Sequence, residues 1–151
     1  MSQTAYSTAM TVSTIGQLAD AGENDIVSGD NSGTGEVALF GHLMSWGAAN
    51  NQIARPAAAG SITAVKKIAG VVVAGQDIPC DSSVTDPQYP IKSAVPLLRK
   101  GRIWVKSEDA VTVGTTGVFV RYAGTGNLGA FRATTVMSEA AEIPEGSARW
   151  L

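Results

Sequence analysis

Apolar and polar residues alternate over short stretches of this chain, and glycine or proline closes most of those stretches. Alternation with a period of two sets every second side chain on one face of a strand. In RIWVK, residues 102 to 106, it places Arg102, Trp104 and Lys106 on one face and Ile103 and Val105 on the other. VFVRY, residues 118 to 122, sets Val118, Val120 and Tyr122 opposite Phe119 and Arg121. A short Ile26-Val27 strand stands among the turn formers of AGENDIVSGDNSGTG; EVALFG supplies a strand ending at Gly41, and AVTV one that closes at Gly114. The GTGNLG turn, residues 124 to 129, leads into FRATTVM, and ARW, residues 148 to 150, begins a last strand. SITAVKKIAGVVVAG ends in Val71 to Val73, a run too short and too β-branched to prefer helix. HLMSWGAANNQIARP stays open: Leu43, Trp46 and Ile53 could bury one side of a loop or of a short helix.

Two segments break this rhythm. Residues 1 to 14 are Ser/Thr-rich, uncharged and aperiodic, which predicts an extended arm that is disordered alone or pinned by a partner. Residues 76 to 96 carry Pro79, Pro87, Pro90 and Pro96, which predicts a long loop. Short strands at this spacing, with no internal repeat, predict an all-β fold: a small antiparallel β-barrel or a jelly-roll-like sandwich. The expected organisation is an arm over 1–14 and one β domain over 15–151, with the Pro-rich loop at 76–96.

Composition agrees with a single domain: 151 residues suffice to bury a core without staples. Charged residues are sparse at 16%, against a usual quarter, so each charged cluster carries more weight. The net charge of −2 hides an asymmetry. Asp20, Glu23, Asp25, Asp30 and Glu36 all precede Arg55, and every Lys and Arg lies at Arg55 or later. This is either a scattered solvated surface or a complementarity between one copy's front and its neighbour's back. The stretch MSQTAYSTAMTVSTIG has neither a positive charge nor a continuous apolar run, unlike a signal peptide, and nowhere do eighteen apolar residues run together to span a membrane.

Candidate chemistry is thin. The single cysteine, Cys80, excludes an internal disulfide, and the single histidine, His42, removes any His-pair zinc motif. GDNSGTG has the glycines of a phosphate loop, but Glu36 and a strand follow where Lys-Ser/Thr and a helix are needed. His42 near Ser45 or Asp81 would be the only hydrolytic pairing, and no nucleophile elbow surrounds any serine. Glu108 and Asp109 are adjacent, so on a strand they point to opposite faces; they mark a tight turn. Arg99, Lys100 and Arg102 remain, read either as a solvated strand entry or as a protein contact with Trp104 as anchor. A nucleic-acid surface would add more positive charge and more exposed aromatics than this net acidic chain offers.

Three stretches, taken in order, resemble a known family. GQLADAGENDIVSGDNSGTGEVALFG, AAAGSITAVKKIAGVVVAG and LLRKGRIWVKSEDAVTVGTTGVFVRY, with LGAFRA after them, are similar to the structural cement proteins of tailed phages. The resemblance implies a small β-barrel or jelly-roll-like virion protein on the outer surface of a double-stranded DNA phage head, made in the host cytoplasm. It further implies a protein without enzymatic activity, cofactor or metal. Its partners would be the major capsid protein and further copies of itself as a dimer or trimer, with neither nucleic acid nor membrane. Arg99, Lys100, Arg102, Trp104 and Lys106 are the candidate contact residues toward capsid or sister subunit. A carbohydrate-binding β-module for host adhesion is the alternative, for which Trp46, Trp104 and Trp150 are scattered along the chain.

Overall fold

The computed structural model describes residues 15–19, 22–31, 37–75, 87–112, 117–136, 138–144 and 147–150. The predicted arm, Cys80, Asp81 and residues 76–86 of the Pro-rich segment lie outside the described residues. Among the described residues ten strands form: β1 Asp25–Asp30, β2 Ala38–Leu39, β3 Leu43–Trp46, β4 Ile53–Ala54, β5 Ile68–Val72, β6 Gln88–Tyr89, β7 Ala94–Lys100, β8 Phe119–Arg121, β9 Phe131–Arg132 and β10 Ala140–Glu142. One helical turn, α1 Gly60–Thr63, and a 3₁₀ turn, Val65–Lys67, connect β4 to β5. The strands make a five-stranded sheet in the order β1-β7-β5-β3-β4, a three-stranded sheet β10-β8-β9 and a pair β2-β6. Every ladder between these strands is antiparallel.

The open stretch HLMSWGAANNQIARP resolves into β3 and β4, and its neighbours explain why no single periodicity marked it. Successive residues of β3 and β5 serve two cores. Met44, Ala69 and Val72 enter one core with Phe40, Tyr89, Val95 and Leu97. Leu43 enters the other with Ile62, Val118, Val120, Phe131 and Ile143, and Ile68 and Val71 pack against it. A strand buried on both faces is apolar throughout and loses the alternation that an exposed face would impose. Ile62 carries α1 into the second core, where full burial of such a side chain stabilises by roughly 1.5–3 kcal/mol.

None of the three sheets closes into a barrel. The five-stranded sheet comes nearest, because its edges meet where the Asp30 amide donates to the Asn51 carbonyl at 2.7 Å. A lone parallel bridge joins Asp30 to Gln52 there. Gly29 permits the approach, since a β-carbon at that position would collide with Ile53 and with the Leu97 Cδ1. With β4 only two residues long, the contact remains one bridge and not a ladder.

Other expectations shift by element. The Pro-rich segment, expected to be loop to residue 96, holds β6 and the first residues of β7, the longest strand among the described residues. Pro96 is tolerated inside β7 because its backbone faces the β5 side. There its carbonyl accepts from Val73, one residue beyond the end of β5, so its missing N–H interrupts no ladder bond. VFVRY does become β8, with Val118 and Val120 buried and Tyr122 packed on the same core. Residues 110–112 of AVTV form no strand. ARW forms none either; Trp150 instead turns its ring edge-on to Phe131, and its indole N–H donates to the Gly117 carbonyl at 3.0 Å.

Candidate functional site

Residues 98 to 106 leave the five-stranded sheet along β7, between β1 and β5, and become a surface ribbon. Leu98 is buried opposite Ile26, and β1 and β7 then slip register, so that Asp25 faces Lys100 and Arg99 has no opposite number. Arg99 and Lys100 are exposed. The Lys100 ammonium lies 3.6 Å from the Glu23 carboxylate, with side chains 72% and 94% exposed, so water screens the pair and it contributes at most about 1 kcal/mol. This contact joins the acidic front of the chain to its basic back within one molecule, which uses part of the complementarity foreseen between copies.

The RIWVK stretch keeps its predicted alternation although Ile103 makes only a single bridge, to Leu18. Arg102, Trp104 and Lys106 are exposed, while Ile103 and Val105 are half-buried and Val105 packs on the second core. Residues 16–19 hold this ribbon in place. The Ala19 amide donates to the Arg102 carbonyl, Trp104 donates to the Gln17 carbonyl, and Gly16 donates to the Trp104 carbonyl, all within 2.8–2.9 Å. Trp104 is therefore 50% exposed on a backbone that is fixed on one side. All five sequence-predicted contact residues share the stretch from the end of β7 through this ribbon.

Two basic residues missed by sequence reasoning join them. β5 runs antiparallel to β7, with Val71 opposite Leu98, so the residues entering β5 lie at the end of the sheet where β7 exits. Those residues are Lys66 and Lys67, both exposed, preceded by Val65, which is 54% exposed. No linear signal links positions 66–67 to 99–102; only the strand register brings them to one end.

Of the remaining arginines Arg149 is exposed, and the other three turn inward. Arg55 donates to the Val37 carbonyl at 2.8 and 3.1 Å. Arg121, its side chain 11% exposed, meets Glu108 at 2.8 Å and Glu139 at 2.9 Å. Arg132 meets Asp109 at 3.1 Å and Glu108 at 3.5 Å, and the Thr134 hydroxyl donates to Asp109 at 2.7 Å. Glu108 and Asp109 do mark a turn, but the bend there lets both converge on Arg132, which the opposite-face rule for strands would forbid. The Arg132 and Thr134 hydrogen bonds hold the Asp109 carboxyl below the usual carboxylate range, and Glu108 foremost holds Arg121 above its ordinary value. This network clasps the 107–110 bend onto β8 and β9.

Among the described residues, the serine and histidine weighed for hydrolysis are engaged in packing. Ser45 is buried and its hydroxyl donates to the Ala54 carbonyl at 3.1 Å. His42 Nδ1 lies 3.3 Å from the Leu128 carbonyl. A cavity of about 110 Å³ beside His42, Lys106, Glu108 and Asn127 is well below the 300–1,000 Å³ of ordinary ligand pockets. A wider depression of about 320 Å³, near Asp30, Asn51 and Lys92, is open to solvent and has no aromatic lining. Among the described residues no three His, Cys, Asp or Glu side chains gather to hold a metal. Trp46 packs against the first core and Trp150 against the second, which leaves Trp104 as the exposed tryptophan for any sugar-stacking role.

No curated protein matches the chain. The family model described as structural cement protein (E217 gp24/Pam3 gp6) matches residues 1–150. That match takes in β1 to β10 and the Trp104 ribbon, and the chain belongs to this family of phage structural cement proteins, components of the virion capsid.

Proposed function

We propose that this protein binds the outer surface of a double-stranded DNA tailed-phage head and clamps neighbouring major capsid subunits, without chemistry of its own. It acts as a homo-oligomer, a dimer or trimer, with no cofactor, nucleic acid or membrane. The observation that carries this reading is Trp104, half-exposed between Arg102 and Lys106 on a backbone pinned by residues 16–19. A large aromatic on a backbone that is already held has less freedom to lose on docking, which favours it as an interface anchor. Arg99 and Lys100 extend the same surface. Residues 1–14 serve as an adhesive arm that adds main-chain hydrogen bonds at a neighbour's sheet edge. Each contact can be weak, because repetition over a shell raises avidity by roughly 10²–10⁴.

The test uses heads stripped of this protein, incubated with wild-type chain and with Arg99→Glu/Lys100→Glu from about 50 to 500 mM salt, a range over which surface charges become screened. The wild type should saturate the heads; the variant should bind more weakly at low salt and depend less on salt. Removal of residues 2–14 should leave a folded protein that decorates poorly. Heads that never take up the wild type on their exterior would refute the clamp.

A further inference from the structure

Two groups of cations stand apart in this protein, and exposed Lys92 and Arg149 belong to neither. Arg55, Arg121 and Arg132 are spent on carbonyls and carboxylates of their own chain. Lys66, Lys67 and Arg99 are exposed and form no ion pair among the described residues, and Lys100 reaches only the solvated Glu23. The antiparallel pairing of β5 with β7 gathers these four at one end of the five-stranded sheet. Arg102 follows immediately on the ribbon that carries Trp104.

We infer that this end, with Lys66 and Lys67 as its second half, is a steering surface for an acidic protein face of the capsid. The inference rests on the head-binding reading above and adds to it a division of labour. Exposed rim charges act mainly on the rate of encounter, because their field reaches about a Debye length into solvent. A buried anchor acts mainly on the rate of escape. Val65 and Trp104, apolar and half-exposed, are the anchors; the lysines and Arg99 guide the approach. The partner is protein and not a polyphosphate: Glu23 and exposed Asp25 interrupt the row of cations, which the closely and regularly spaced charges of a phosphate backbone cannot avoid but the discrete carboxylates of a protein face can. The position of the 3₁₀ turn is set by Ile62, fully buried three residues before Val65, so the two lysines are presented by a fixed element.

The experiment measures association and dissociation rates of the full chain on stripped heads at low and high salt. Lys66→Glu/Lys67→Glu is compared with Lys92→Glu, an exposed charge at the opposite end of β7. The double variant should associate about tenfold more slowly at low salt, converge with wild type at high salt, and dissociate at nearly the wild-type rate. Lys92→Glu should follow the wild type. A labelled 20-base-pair duplex serves as the nucleic-acid probe. If the double variant associates with heads like wild type but loses duplex binding, the surface serves nucleic acid and the inference fails. If it associates normally and duplex binding is absent throughout, the inference also fails while head binding by the wild type stands. If the wild type itself does not bind heads, the clamp reading and this partner fall together.

Discussion

The amide of Gly16 donates to the carbonyl of Trp104 at 2.8 Å, and the carbonyl of Gly16 accepts from Ala74 at 2.8 Å. One residue thus ties the exposed anchor to the end of β5. Gly16 holds φ +82°, and a β-carbon there would stand 3.0–3.1 Å from the Ala74 and Gly41 nitrogens and Phe40 Cβ. Gly41, at φ +69°, leaves no room for a side chain against Ile15. Gly16→Val should therefore destabilise by about 1–3 kcal/mol in urea unfolding, from backbone strain and crowding together. A stability equal to wild type would mean that the crossing relaxes freely.

Truncating the anchor should separate folding from attachment. Trp104 is half-exposed, so Trp104→Ala should change stability by no more than about 0.5 kcal/mol. Its loss from an interface should cost about 2 kcal/mol of binding, seen as faster dissociation from heads. Unchanged dissociation would remove Trp104 from the contact.

The clasp at the 107–110 bend predicts unequal effects from its members. Arg121→Met leaves Glu108 and Glu139 without their shared cation and should cost about 2–3 kcal/mol in denaturant unfolding. Glu139→Gln should cost less than about 1 kcal/mol, because Arg121 keeps Glu108. Equal losses would show that the network is not organised around Arg121.

The same clasp sets an acid limb. The Asp109 carboxyl titrates lower in the folded chain than its unfolded value of about 3.9. Between those two values the unfolded state binds more protons, so stability rises with pH in that window. The contribution is fully present above the unfolded value and is lost as pH falls through the folded one. Asp109→Asn should flatten this limb in unfolding curves taken from about pH 2.5 to 6. An identical slope in both proteins would assign the acid sensitivity to other carboxylates.

By itself, the sequence determined a mostly β chain, the two faces of RIWVK and VFVRY, and the exposure of Arg102, Trp104 and Lys106. Each of these follows from period-two alternation, which is a local property. The family resemblance of its three stretches holds over residues 1–150 as well. Tertiary structure alone decided what depends on which strands meet. β3 and β5 alternate between two cores and so show no polar face, and Pro96 reads as a loop marker unless the end of β5 is known. Lys66 and Lys67 reach Arg99 and Lys100 through register across β5 and β7, over thirty residues of sequence separation. Glu108 and Asp109 converge on Arg132 because the chain bends there; pairings of this kind are absent from any linear pattern, since they are fixed by packing between segments and not by either segment's own preference.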